Sequence, residues 1–342
     1  MERLRPPRGL IVDLITPLTS GGDIDGRGLG RLLDRLLPHV QALLLASPYA
    51  GEGLNLAPGQ RAELLDKALV VVRGSVPVLV WISGDTEERT AENLRLLRKT
   101  KEARRYTGPI IWMDTPLLYH SNRGLSPLYE RLVSEAGEPF VLHNDPEMID
   151  PLKRAFKRRN IRTSILKELV LTEEGIQGLI FSGSLDRAQN YQKALRSRTG
   201  FNIYDGDESN FLVHPSLSGV ISKGANLAPR AWQKITASSL RQDDHQDDCP
   251  DPEAGPFGHG RHRVTRLHHP SGDPGRQEDR TERADGKVRG LSVDGVQIKW
   301  LAYLRTWCPS RTWNCLIFFS VTGENIPMGR YMIFLPCLAA MP

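Results

Sequence analysis

Eight alternations of a short, almost wholly apolar run with a longer segment of helical spacing predict a (β/α)8, or TIM, barrel over residues 1–240. Two further observations agree. The runs are continuously apolar and do not alternate with polar residues, which suits parallel strands covered on both faces. A length of ~250 residues is also usual for this architecture. Residues 241–342 lose both periods and are expected to form an irregular, disordered tail.

The elements follow in order. Gly9–Leu18 leads to helical spacing over Arg27–Leu37, Val40–Ser47 to Gln60–Arg73, and Val76–Ser83 to Thr86–Ala103. The last helix opens on Asp85-Thr86-Glu87-Glu88, an acceptor and two acids where unpaired N–H groups and the helix dipole favour them. Pro109–Asp114 precedes Leu125–Ala136, and Pro139–Asn144 precedes Thr163–Glu173 after a basic insertion, Pro151–Arg162. Ile176–Ser182 precedes Leu185–Arg198. There Leu185, Ala188, Tyr191 and Leu195 mark one face, and Asp186, Arg187, Asn190 and Lys193 fall away from it. Phe201–Asp205 with Glu208–Pro215, and Gly219–Ser222 with Arg230–Ser239, complete the eight.

Composition excludes several classes. The chain has 342 residues, 39% hydrophobic and 25% charged, too regular for disorder throughout. Its net charge of +5 is spread thinly, so no nucleic-acid partner is expected. Apolar stretches such as Leu316–Val321 and Tyr331–Leu338 are far shorter than the ~20 residues of a spanning helix, so no membrane association is expected. The opening MERLRPPRG lacks an apolar leader core, and a cytoplasmic location is the expectation. Cys249, Cys308, Cys315 and Cys337 all lie beyond residue 240, where His245, His259, His262, His268 and His269 also fall. The closest cysteines, Cys308 and Cys315, are too far apart for a zinc pair, so no zinc is expected.

In a barrel of this kind chemistry sits at the C-terminal strand ends. Those ends carry Thr16; Tyr49, Gly51 and Glu52; Asp114 and Tyr119; His143, Asn144 and Asp145; Ser182; Asp205 to Glu208; and Ser222 with Lys223. His143 is the acid–base candidate because imidazole titrates near neutrality; the structural alternative is a histidine satisfied by a neighbouring carbonyl. Lys223 offers an amine or an anion contact, against a lysine extended to solvent. Glu52, Asp114, His143, Asp207 and Glu208 are too dispersed to demand a cation; such acids usually cap helices, and neither metal nor cofactor is expected. Lys153, Arg154, Lys157, Arg158, Arg159 and Arg162 read as a solvated basic face, with a polyanion patch as the alternative.

The strand ends also carry a recognisable arrangement: Pro17 with Asp23-Ile24-Asp25-Gly26, Gly51-Glu52, His143-Asn144-Asp145-Pro146, Ser182-Gly183-Ser184-Leu185-Asp186-Arg187, Gly206-Asp207-Glu208, and the stretch GVISKGANLAP from Gly219 to Pro229. Over residues 9–239 this resembles the dihydrodipicolinate synthase / N-acetylneuraminate lyase family. The resemblance implies an aldolase-type lyase acting on a small 2-oxo acid, in which a lysine on the sixth strand forms a Schiff base and a fifth-strand tyrosine shuttles protons. It also implies a homo-oligomer, since family members are commonly tetramers.

Two placements of the lysine compete. Lys167, in Ser164-Ile165-Leu166-Lys167-Glu168-Leu169, imitates the family's Ile-Lys-Glu and lies 24 residues after His143. Counted from Gly206, Lys167 is 39 residues back and Ile180 26 back; the family's spacing favours Ile180, which cannot form an imine. Lys223 or Lys167 would then supply the amine. Other departures accompany this one. Pro48-Tyr49-Ala50-Gly51-Glu52 stands for Gly-Thr-Thr-Gly-Glu, His143 for the fifth-strand tyrosine, Met148 for a substrate-binding arginine, and Tyr119 for the tyrosine of the fourth loop. These departures argue against dihydrodipicolinate synthesis itself. The resemblance implies proton handling by His143 and Tyr119, and substrate contacts from Tyr49, Gly51, Glu52, Gly206, Asp207 and Ile221. The rival reading is a non-catalytic relative that binds an oxo acid or serves as a scaffold. The tail replaces the additional C-terminal helices of the family, as out-of-frame translation after about residue 240 would.

Overall fold

The computed structural model describes residues 5–149, 158–216, 218–246, 290–293, 296–307, 313–323 and 326–337. The chain divides into two compact units, residues 1–248 and 249–342.

In the first unit all eight expected strands form, in order, a closed parallel barrel. They are β1 (Gly9–Asp13), β2 (Ala42–Leu45), β3 (Val78–Trp81), β4 (Ile110–Asp114), β5 (Phe140–Asn144), β6 (Ile176–Phe181), β7 (Asn202–Asp205) and β8 (Gly219–Ser222). Every residue of these strands is buried except the two ends of β7. This is the double burial that the unbroken apolar runs anticipate. Closure is set where β8 pairs with β1, with Ile221 beside Ile11. There Gly219 has φ +118°, and a Cβ would lie 2.0 Å from the Gly9 carbonyl oxygen, so only glycine admits this approach.

The helices are α1 (Gly26–Leu36), α2 (Pro58–Val72), α3 (Glu87–Ala103), α4 (Leu125–Ala136), the short α5 (Pro146–Ile149), α6 (Thr163–Thr172), α7 (Leu185–Leu195), α8 (Glu208–Val213) and α9 (Pro229–Gln246). Their starts follow capping chemistry. Asp25 accepts the N–H groups of Arg27 and Gly28, and Thr86 accepts that of Arg89. The amphipathic faces turn inward. From α1 alone Leu29, Leu32, Leu33 and Leu36 are buried, each stabilising by about 1.5–3 kcal/mol. None of the described helices is long and apolar enough to cross a membrane.

The barrel interior packs Ile11, Ala42, Leu44, Leu79, Trp81, Ile111, Met113, Val141, Ile180, Tyr204 and Ile221, with Met148 from α5 added. Successive inward residues are two apart, so the next inward positions toward the C-terminal mouth are Asp13, Thr115 and His143.

The second unit departs from the expectation of an irregular tail. Gly290–Val293 (β9), Val296–Trp307 (β10), Trp313–Gly323 (β11) and Ile326–Cys337 (β12) form an antiparallel sheet in the order β12-β11-β10-β9. The pairing is that of sequential hairpins, with Trp307 opposite Trp313 and Val296 opposite Val293. Its β-branched and aromatic residues suit strands. The aperiodic stretch 247–289, which carries Cys249 and four of the tail's five histidines, lies outside the described residues. Helix α9 continues through Gln246.

Candidate active site

The barrel mouth gathers polar groups from six strand ends, those of β1, β2, β4, β5, β7 and β8. On β1, Asp13 is only 3% exposed, and its Oδ1 has no hydrogen-bond partner among the described residues. Burial raises its carboxyl from an ordinary 3.8 to about 6, opposed by Ser47 and the charge of Lys223 and reinforced by Glu208. The β1 and β8 ends are stitched together by Asn226. Its Nδ2 donates to the carbonyls of Asp13 (2.7 Å) and Lys223 (2.8 Å), and its Oδ1 accepts from the N–H of Ile15.

Lys223 reaches across the mouth. Its Nζ lies 4.6 Å from the centre of the Tyr49 ring, a cation–π contact. The Tyr49 hydroxyl donates to Asp145 Oδ2 at 2.9 Å. Burial first, then Asp145, raises the Tyr49 hydroxyl well above its usual value. The three side chains therefore form a chain from β8 through the β2 loop to the end of β5.

His143 is 4% exposed, and its Nδ1 shares a 2.9 Å hydrogen bond with Thr115 Oγ1. That hydroxyl is itself held by Trp81 Nε1 at 2.9 Å. Burial pulls the imidazole from 6.5 to about 4, with Lys223 acting the same way and Asp145 opposing. His143 is thus a neutral ring at neutral pH, and titration near 7 gives way to a hydrogen-bonding role. Glu208 Oε1 accepts from Ser222 Oγ and from the Gly224 N–H (2.8 Å), and burial raises its carboxyl despite those donors.

Other expected residues are placed differently. Tyr119 is buried, and its hydroxyl donates to Asp114 Oδ2 at 2.7 Å, beside the Tyr129 hydroxyl at 2.6 Å on the same oxygen. Ser83 Oγ donates to the other oxygen, making Asp114 the centre of a structural cluster. Burial and the Asp114 charge drive the Tyr119 hydroxyl far above its usual range, so it is a poor proton carrier. Lys167 lies on α6 with its side chain exposed, whereas Leu166, Leu169 and Val170 of that helix face the barrel. It does not join the mouth. Asp207 is exposed and caps α8, accepting from Ser209 and Asn210. Glu52 turns to Asn55 Nδ2.

Gly51 is demanded by space, whereas a Cβ at Gly206 would require the Ser182 side chain to turn away. A Cβ would meet the Ser47 nitrogen at 2.2 Å or the Ser182 hydroxyl at 2.1 Å. The Gly51 N–H is already given to Ser47 Oγ, and its carbonyl accepts from Thr16. Ile221 points into the barrel beneath the site. Among the described residues no three His, Cys, Asp or Glu side chains gather as a metal centre. Asp13, Ser47 and Thr115 were missed from the sequence. The signal for Asp13 is an acid ending the otherwise apolar Gly9–Asp13, masked by the apolar residues that continue to Leu18.

A family model, the Dihydrodipicolinate synthetase family, matches residues 6–246. The chain belongs to the dihydrodipicolinate synthetase family. Among its relatives, the 4-hydroxy-tetrahydrodipicolinate synthase of Ectopseudomonas mendocina is 28% identical over 238 residues, 68% of this chain and 75% of that protein. The enzyme of the same name from Pseudomonas syringae pv. syringae is 27% identical over 240 residues, covering 69% and 76%. Among solved structures, an E. coli K12 prophage protein of the dihydrodipicolinic acid synthase family, in complex with pyruvate, superposes with a TM-score of 0.59 at 20% identity. That match covers 70% of this chain and 77% of its own. A monomeric dihydrodipicolinate synthase variant gives the same TM-score and identity over 70% and 76%. At such identity the structural likenesses speak for the barrel alone.

Within this member of the dihydrodipicolinate synthetase family, β6 brings no amine to the interior. Ile180 pairs in register with His143 on one side and Tyr204 on the other, and is 2% exposed in the interior cluster.

Proposed function

We propose that the barrel mouth binds a small 2-oxo acid, with Lys223 as the cation for its carboxylate, and that no imine forms on β6. The observation that carries this reading is Ile180, an alkyl side chain turned into the barrel where the family resemblance expects the Schiff-base lysine. Lys223 supports the binding half. It is held over Tyr49, and its charge reaches His143, a neutral donor or acceptor for the keto oxygen.

A second reading, an aldolase-type lyase using Lys223 as the amine, is favoured by Asp13. Its buried carboxylate, with Oδ1 unpartnered among the described residues, lies close enough to feel the Lys223 charge, and it titrates near neutrality, as a general base should.

One experiment separates the two. The full chain is titrated with pyruvate and other 2-oxo acids by calorimetry, then reduced with borohydride and weighed intact. Saturable binding lost in Lys223→Ala, with no added mass, is the expected outcome. An adduct mapped to Lys223 selects the lyase, and failure to bind any 2-oxo acid refutes both readings. For the sequence beyond the family match, out-of-frame translation is tested by a raw genomic read of the coding region. A single-base change restoring an amphipathic helical tail supports it, and an intact frame rejects it.

A further inference from the structure

Arg158, Arg159 and Arg162, in the described part of the basic insertion, are not among the residues of the mouth. Arg158, Arg159, Asn160, Arg162 and Arg187 line a separate cavity of about 330 Å³. Among the described residues no acidic side chain lines it. None of Arg158, Arg162 and Arg187 has an ion pair among the described residues.

The platform beneath them is rigid. Asn144 Oδ1 accepts the N–H of Ile161 (2.8 Å), and its Nδ2 donates to Asn160 Oδ1 (2.9 Å). Asn122 donates to the Asn160 carbonyl (3.0 Å) and accepts the N–H of Arg162 (2.7 Å). The Tyr191 hydroxyl donates to the Ile161 carbonyl at 2.6 Å. Arg187 lies over the Tyr191 ring, 6.0 Å from its centre, and its Nη1 donates to Thr163 Oγ1 at 3.5 Å. Asn122 and Asn144 are buried, so the backbone from Asn160 to Arg162 is fixed by groups inside the fold.

The charges are also placed against the helix field. Arg162 is the N-cap residue of α6, a 10-residue helix with no side-chain cap and no acid in its first turn. Cations at the positive end of a helix dipole are unfavourable unless an anion sits between them. Guanidinium forks match phosphate oxygens two by two. Among the described residues the aromatic ring beside these cations, Tyr191, is fully buried and offers no face to a base.

The geometry points to this cavity as a binding site for a small multiply charged phosphate anion, of which pyrophosphate is the simplest. The site is distinct from the mouth and does not depend on the oxo-acid reading.

The test is calorimetric titration of the full chain with pyrophosphate at physiological salt, without oxo acid. One site per chain is expected. Arg162→Gln/Arg187→Gln weakens it at least tenfold, the Lys pair R162K/R187K falls between, and Lys99→Gln, an exposed cation on α3, changes nothing. Arg158→Gln, an exposed side chain, gives the same weakening should the double variant melt early. Absence of binding overturns the proposal. So does equal weakening by Lys99→Gln, or citrate binding as tightly as pyrophosphate.

Discussion

Replacing Asp13 by asparagine tests the electrostatics of the mouth. In the folded chain the carboxyl titrates near 6 against 3.8 in its ordinary setting, chiefly because burial penalises its charge. The folded pKa of an acid is here above its unfolded value, so the stability tied to its neutral form is full below about 3.8 and is lost as pH rises through about 6. A shift of roughly two pH units is worth about 3 kcal/mol at pH 8 and about 0.5 kcal/mol at pH 4. Asparagine carries no charge at either pH, so D13N should gain about 2.5 kcal/mol relative to the parent between pH 4 and pH 8. For a unit of this size that is a relative rise in Tm of roughly 5–10 °C. Any fixed cost from the unpaired amide, and the titration of His143, are common to both ends of the comparison and cancel. Urea denaturation of both proteins at both pH values measures it. A difference between them that does not change with pH, or that shrinks as pH rises, would refute the reasoning.

Three further outcomes are expected. His143 has its pKa lowered to about 4 by burial, so it costs stability as pH falls from about 6.5 toward 4; His143→Gln should remove up to about 3 kcal/mol of that acid-side loss, read from melts at pH 7.5 and 4.5. Ile180→Lys places an amine beside His143 and Tyr204. It should destabilise the barrel by several kcal/mol yet yield a borohydride-trapped pyruvate adduct at position 180, and a folded variant with no adduct counts against the site's placement. Tyr119→Phe removes one donor from buried Asp114 and should cost about 1–3 kcal/mol in a urea titration while leaving oxo-acid affinity unchanged; a selective loss of affinity would return Tyr119 to the mouth.

Much of the barrel was legible because its signals are local. Burial on both faces writes a continuous apolar run, burial on one face writes a helical stripe, and caps such as Thr86 stand at the junctions. The site was legible only as a rim. Strand ends named Lys223, Tyr49 and His143, but Tyr119 looked equally suitable until Asp114 took its hydroxyl. Lys167 mimicked a catalytic motif because three residues in a row carry no information on which way a helix faces. The sheet over Gly290–Cys337 is not legible in the sequence because its strands are defined by pairing across hairpins and follow a long aperiodic stretch.

The sequence by itself determined eight strand–helix units, the family, and the absence of a lysine at Ile180 once spacing from Gly206 is counted. Tertiary structure decided which distant residues meet and in what electrical state. Tyr49 finds Asp145 96 residues away, and Lys223 closes over Tyr49 only because β8 returns to β1. Asp13 becomes a near-neutral acid and His143 a neutral base because barrel closure removes both from water. Desolvation is a property of everything packed around a group, so no stretch of neighbouring sequence encodes it.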